Sequence, residues 1–596
     1  MRRKHSYRQP TEHACLVVWG DIARQLGFLK GFQRLAFHQR IRQHTPQGKV
    51  LELLVATLAG LPYLQDISRA AHPLDQDLAV ARAWEQAGWA DYSGVSRTLQ
   101  KLSLAEAQAV IAYLHAFSQP FFDREVELAL QAEGRIILDG DLTGIPVSKS
   151  SRSYPNAAYG HMDDAIRLGY QAAVVSLRSP SYQRIWLSIN HKPGNTLSSS
   201  QAEALVQAAE ARLNRRPWRR TDLLEKRVAQ LSQITQAAQQ KVEHAQDLLE
   251  QARLRLETTR TQQVAVIQQA QQLEQCYVER DRPLRPKSKL ALAQERVAVL
   301  ARRIPRNEQM LEKAQTRLGK AQTNLDRQQA LQQQAQVRLE RFQQDNRCNP
   351  NPLQMVIRLD AGFGTWENLG LLIEMGYEVY SKAFSAQSVQ VLFQQFGVTS
   401  QWERVGERVE MHAHAHGVPV KFWYPLDIGL LRICSADRLK KGILLHFGAE
   451  TVSQDLPGWF HFYNHRQGIE AGIKESKQVF CLHHLKVRSE AAILVQENFV
   501  LFAGNFICWA SAWVSGHAQG SAKQALSLSR LGMKRLVQAG AHTSATVNWN
   551  SEGCLLRFND LSFLAGKHLW LPRNSLKNKG PTQKFSCFRS FWQFFV

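Results

Sequence analysis

At 596 residues the chain is several times the ordinary domain length, so more than one domain is expected. Apolar residues make up 44%, too many for a disordered chain, and 74 Lys and Arg against 51 Asp and Glu leave a net charge of +23. Such a field draws polyanions, meaning nucleic acid or an anionic surface.

A membrane role is disfavoured. The longest apolar run, Phe499 to Val514, is interrupted by Asn505 and falls short of the roughly 20 residues that span a bilayer. The opening Met1-Arg2-Arg3-Lys4 leads into no apolar segment. Eight cysteines without a Cys-x-x-Cys pair argue against a disulfide framework and a zinc module. The expectation is a cytoplasmic, nucleic-acid-facing protein.

Residues 1–130 read as a helical DNA-binding domain. Leu51 to Leu58 is apolar at helical spacing, and Gly60-Leu61-Pro62 breaks it. Asp91-Tyr92-Ser93-Gly94 then enters a short helix carrying Ser96, Arg97, Gln100 and Lys101, donors suited to a DNA-reading helix. A solvated amphipathic helix has the same pattern.

From Gly134 the pattern turns to strands: Arg135 to Asp139, Gln171 to Leu177 and Arg184 to Ile189, then a helix over Ser198 to Leu213. Residues 131–215 make the first part of an α/β catalytic domain. Residues 216–347 read as two heptad arms of about 60 residues around Pro283-Leu-Arg-Pro286, an antiparallel hairpin with Pro305 expected to kink the returning arm. Residues 348–515 resume the domain. They offer strands at Leu353 to Leu359 and Tyr377 to Phe384, a β-rich insertion at about 400–450 including Val418 to Tyr424 and Gly442 to Phe447, and helix from Trp459 to Val514. Residues 516–596 read as a basic helical region, ending in a tail with Lys567, Arg573, Lys577, Lys579, Lys584 and Arg589.

Three acidic blocks carry the chemistry. Asp139-Gly140-Asp141-Leu142-Thr143 and Arg358-Leu359-Asp360-Ala361-Gly362 each close an apolar strand. In the third, Tyr463, Arg466, Glu470 and Lys477 are spaced to share one face of one helix. Two strand-end aspartates and a helical glutamate form the hard-oxygen set that binds a pair of divalent ions for phosphoryl transfer. Glu475 lies 140° off the shared face, by about 100° per residue. His412, His414 and His416 alternate at strand spacing and read as an exposed strand rather than a metal set; His483-His484 read as local hydrogen-bonding groups. Trp402, Trp423 and Trp459 read as core.

Tyr463-x2-Arg466-x3-Glu470-x6-Lys477 resembles the YREK pattern of bacterial insertion-sequence DDE transposases, cut-and-paste enzymes of mobile elements. Asp141-Leu142-Thr143 is similar to that family's first Asp block, and Asp360 to its second. The resemblance implies a ribonuclease-H-like α/β fold interrupted by the coiled coil. It also implies two Mg²⁺ ions, for which Mn²⁺ can substitute, on Asp141, Asp360 and Glu470, with Tyr463, Arg466 and Lys477 on phosphates. The implied activity is cleavage at transposon ends, through a hairpin at the transposon end, and strand transfer into target DNA. The implied partners are double-stranded DNA and a second copy in a synaptic homodimer, at the bacterial nucleoid. A nuclease of the same fold and an inactive DNA-binding relative are the alternatives. Asp139 remains open as the first acid, since residues two apart on a strand share a side; the Asp-x-Thr context favours Asp141.

Overall fold

The computed structural model describes residues 7–148, 154–162, 164–397, 401–420, 422–435, 438–517, 528, 531–559 and 568–572. Two compact units result: residues 1–218 with 351–596, and residues 219–350.

The first unit begins with strand β1 (Tyr7–Thr11) and short helices α1 (Ala14–Gln25), α2 (Phe28–Phe32), α3 (Pro46–Leu58), α4 (Asp66–Arg69), α5 (Leu78–Ala83) and α6 (Tyr92–Gln100). Helix α7 (Leu104–Glu133) starts at a reciprocal cap. Ser103 Oγ accepts from the Glu106 backbone N–H at 3.2 Å, and Glu106 accepts from the Ser103 N–H at 2.9 Å. Gly134, at φ 69°, ends the helix in the left-handed conformation that glycine adopts without strain.

The strands that follow are β2 (Ile136–Pro146), β3 (Ala158–Met162), β4 (Ala165–Ser179) and β5 (Gln183–Pro193), then helix α8 (Ala202–Leu213). Beyond the second unit come β6 (Met355–Arg358), α11 (Trp366–Glu374), β7 (Glu378–Lys382) and α12 (Ala386–Phe396), where α9 and α10 denote the second unit's helices, Thr221–Glu279 and Lys289–Arg347. Strands β8 (Glu403–Gly406), β9 (Val409–Gly417), β10 (Leu426–Ser435) and β11 (Arg438–Phe447) precede α13 (Leu456–Asn464), α14 (Gln467–Gln478) and α15 (Glu490–His517). The chain closes with β12 (Ala545–Trp549), β13 (Gly553–Phe558) and β14 (His568–Pro572).

The result is a mixed α/β architecture. Its larger sheet runs β3-β4-β2-β6-β7-β11-β10-β9-β8, with β5 also paired to β4. β2 is antiparallel to β4 and parallel to β6, and β6 is parallel to β7. The β-rich segment continues this sheet, because β11 adds antiparallel to β7. The described residues of Val418 to Tyr424 are not strand; they lie between β9 and β10.

Strands β12, β13 and β14 order with β1 in a separate four-stranded sheet, so the described C-terminal region adds three strands to short helical turns where helix alone was expected. The alternating burial of Ala545–Trp549 is the period-2 pattern of a half-covered strand. The basic tail residues Lys567, Arg573, Lys577, Lys579, Lys584 and Arg589 lie outside the described residues.

One helical stretch, Glu490–Val514, is long and apolar enough by length and composition to cross a membrane, but it is mostly buried within the protein. It packs on β5, α7 and α3. Two of its buried polar side chains bond to β5: Glu497 pairs with His191 at 2.7 Å, and the Asn505 side chain accepts from the Trp186 backbone N–H at 2.9 Å and donates to its carbonyl at 2.8 Å. Satisfied polar groups facing a strand are what a core helix requires.

The second unit is a pair of 59-residue helices, α9 and α10, packed against each other. Ala238, Val242 and Leu325 form part of the buried heptad seam. Seam interruptions are accommodated: Asn307 donates to Thr259 Oγ1 at 3.0 Å. Asn346 clasps the Arg219 backbone N–H and carbonyl at 2.8 and 2.9 Å, closing the open end. Helix α10 runs through Pro305 without interruption.

Candidate functional site

The sheet topology brings together chain ends far apart in sequence. β2 and β6 are parallel neighbours, with Asp139 opposite Arg358, so the residues just beyond both strands emerge on the same edge. Asp141 lies two residues along β2. Asp360 follows β6, where a short turn over Ala361–Phe363 begins. Tyr463, Arg466 and Glu470 arrive from the α13–α14 junction, and α14 packs against β2.

That junction is not one helix. Tyr463 ends α13, and Arg466 precedes α14. The cause is a competitor for one carbonyl. Buried Arg358 donates Nη1 to Phe462 O at 2.7 Å, and the Arg466 N–H bonds instead to Tyr463 O at 3.0 Å. The Gly468 and Ile469 N–H groups likewise bond three residues back, a tightened turn that ends one helix and starts the next. The single-helix expectation for Tyr463 to Lys477 is therefore corrected, although Tyr463, Arg466 and Glu470 still converge.

Arg466 is the centre of the cluster. Its Nη1 lies 3.5 Å from Asp141 Oδ2, and its Nη2 donates to Glu470 Oε1. Tyr463, buried, donates its hydroxyl to Leu359 O at 3.0 Å, next to Asp360 in the chain. Burial pushes the Asp141 carboxyl up to about 6; Arg466 opposes the shift, while Asp360 and Glu470 add to it. Burial also raises Asp360, against the pull of Arg466 and the Gly362 and Phe363 N–H groups, with Glu470 adding to the rise. Arg466 thus touches two of the three carboxylates, and its charge acts on the third, Asp360, as well.

Asp139 is not in this group. Arg358 grips both its oxygens, at 2.7 and 2.8 Å, and the pair is buried. Glu475 is likewise engaged elsewhere, bonded to Arg184 on β5 at 2.8 Å. Lys477 is half-buried, about 10 Å beyond Glu470 along α14 by helix rise.

On α6, Arg97 and Gln100 are exposed, as is Lys101 just beyond it, and Ser96 is half-buried, while Val95 and Leu99 face inward. Asp91 caps that helix by accepting from the Gly94 N–H at 2.9 Å. His414 bonds to Phe396 O at 2.6 Å and its ring meets His412 edge-on. His483 packs against His484 at 4.0 Å between ring centroids. Trp459 is buried in the core beside Met411 and Tyr463; Trp402 is half-buried under the Arg432 guanidinium at 3.8 Å, and Trp423 is half-buried.

Lys382 is the member that sequence reading missed. It ends β7, its Nζ stands 5.3 Å from the Tyr463 ring, and it interacts electrostatically with Arg466, Glu470 and Asp360. Its ammonium is held below the usual lysine range by desolvation and then by the like charge of Arg466. The available signal was positional, since β7 is the parallel neighbour of β6 and ends beside it.

The donor chemistry suits a hard divalent cation, with carboxylate oxygens from three elements. Asp360 Oδ1 is buried without a hydrogen-bond partner, an arrangement that a cation would satisfy. Among the described residues, however, no three acidic, His or Cys side chains stand close enough to hold an ion as they are. Arg466 reaches both Asp141 and Glu470 in their place. No protein-family model matches the chain, and no curated protein matches it.

Proposed function

We propose that the chain is a DNA transposase of the cut-and-paste type, its catalytic domain ribonuclease-H-like and interrupted by the coiled-coil hairpin. The observation that carries this reading is the contact of Asp141 and Glu470 with Arg466, whose charge also acts on Asp360, with both half-buried aspartates raised by desolvation and neighbouring carboxylates. The strand order β5-β4-β2-β6-β7 supports the fold assignment: three antiparallel strands are followed by two parallel ones, and the acids come from the first and fourth strands in chain order.

Asp141, Asp360 and Glu470 would hold two Mg²⁺ ions, or Mn²⁺ in their place. Bound there, the ions supply Lewis acidity for attack on a phosphodiester by water or a 3′-hydroxyl. The chain's own residues do the rest. Arg466 would release Asp141 and Glu470 and turn its planar fork to a phosphate, a bidentate match. Lys382 and Lys477 add point charges along the incoming backbone. Tyr463, tied to Leu359 O, braces the turn that presents Asp360. Two DNA ends require two copies, so the working form is a homodimer on double-stranded DNA at the nucleoid.

The test uses DNA flanking the gene as pre-cleaved ends, with a supercoiled target and Mg²⁺. Joined product is expected. Cleavage without joining would make the chain a nuclease, and unchanged cleavage in Asp360→Ala would remove the site assignment.

A further inference from the structure

The hairpin's charges are sorted by helix face. Its seam sets the heptad register of α10, with Leu290, Leu325 and Leu339 at a positions and Ala293, Ala335 and Phe342 at d positions, all buried. In that register Lys289, Arg296, Arg303 and Arg317 fall at g positions. Arg306, Lys313, Lys320 and Arg327 fall at c, the position beside g on the helix surface. Of the sixteen g and c positions from Lys289 to Arg341, ten are Lys or Arg and none is acidic. The five acidic residues in that span, Glu295, Glu308, Glu312, Asp326 and Glu340, all sit at b, e or f. Chance scatter on a solvated helix does not separate the signs in this way.

The packing of the two helices extends the pattern. In an antiparallel pair, e faces e and g faces g. Arg260 meets Glu308 at 2.7 Å and Gln343 meets Glu225 at 3.3 Å, all four at e positions, so that flank is neutralised across the pair. On the opposite flank α9 brings Lys241 and Arg255 to its own g positions, and no acidic residue occupies a g position of α9. The eight α10 side chains named above are exposed.

We propose that this flank is a binding surface for the phosphodiester backbone of duplex DNA, separate from the acidic cluster. From Lys289 to Arg327 the stripe runs about 57 Å by helix rise, or more than one and a half turns of a duplex. Its cations recur every 3 to 7 residues, against a duplex charge of one per roughly 1.7 Å of axis. An anionic bilayer is the poorer match, because the apolar stripe of each helix is spent on the seam and only scattered apolar side chains, such as Leu292, Val299 and Met310, are exposed on this flank, no continuous apolar face. The choice of DNA over RNA rests on the transposase reading; the stripe itself rests on charge placement alone.

The full chain carrying Arg306→Gln, Lys313→Gln, Lys320→Gln and Arg327→Gln tests it. These positions lie off the seam and off the e flank, and Gln retains helix propensity. Binding to a random-sequence 30-base-pair duplex is titrated against salt, with helicity checked by circular dichroism. The slope of log K against log [salt] should fall in magnitude by about 3 to 4. Lys226→Gln with Arg302→Gln, both at f positions, should change it by far less. An unchanged slope with native helicity would overturn the proposal. So would tighter wild-type binding to an RNA duplex of equal length, or loss of phosphatidylserine-vesicle binding with duplex binding intact. A reduced slope in a chain that neither cuts nor joins DNA would leave the stripe standing while the enzyme reading fell.

Discussion

Arg358 grips both oxygens of Asp139 while its remaining Nη1 holds the Phe462 carbonyl at 2.7 Å. One buried guanidinium thus links β2, β6 and α13. It occupies the acid that competes with Asp141 and also ends the helix that precedes Arg466.

The two aspartates of β2 should therefore separate by assay. Asp139→Ala leaves Arg358 buried and uncompensated, which costs roughly 3–5 kcal/mol of stability. Denaturant unfolding should show this loss. Asp141→Asn should instead keep the fold and lose Mg²⁺-dependent cleavage while DNA binding persists. A stable, inactive Asp139→Ala protein would reverse the assignment.

The two glutamates of α14 divide in the same manner. Glu470→Gln should abolish metal-dependent cleavage. Glu475→Gln breaks only the partly exposed pair with Arg184, worth about 1 kcal/mol or less. Cleavage rates of the two variants side by side provide the check.

His446 gives a pH signature. It is buried against Asp427 at 2.9 Å and Glu378 at 3.2 Å, with the Tyr380 ring 4.4 Å away. Burial works against its charge, but the two carboxylates outweigh burial and raise its pKa. Because the folded value exceeds the unfolded one, its contribution is complete below the unfolded pKa of 6.5 and is lost as pH rises through the folded value. Both carboxylates are held low, so their contribution is present above their unfolded values and fades toward acid. The melting midpoint should fall as pH rises above the unfolded value of 6.5 and through the raised folded one, and His446→Gln should flatten that slope.

Gly364 permits a close backbone contact. A Cβ there would lie 1.9 Å from the Lys382 carbonyl oxygen, and backbone cannot swing aside as a side chain can. Gly364→Ala should push the turn after Asp360 away from β7, costing about 1–3 kcal/mol. Unfolding midpoint and cleavage should fall together; unchanged values for both would contradict the packing.

Features written in local periodicity were legible in the sequence. The hairpin arms are 59 residues each because a heptad repeat needs no information from elsewhere in the chain. Strands β2, β4 and β6 were visible as apolar runs, and the residue types and spacing of the three acidic blocks were legible as a set. Helix α15 was readable as apolar; that its polar residues bind β5 and make it a core helix was not.

What only the tertiary structure decided are pairings between distant segments. Asp139 and Asp141 look equivalent along β2 until Arg358, 219 positions away from Asp139, takes one of them. Arg466 begins a new helix because that same arginine captures a carbonyl, a competition that helix propensity does not encode. β1 and β12 form one sheet across nearly the whole chain, since a short strand is stable only beside a partner. Periodicity specifies which face of an element is apolar; which residue meets that face is set by the folded chain as a whole.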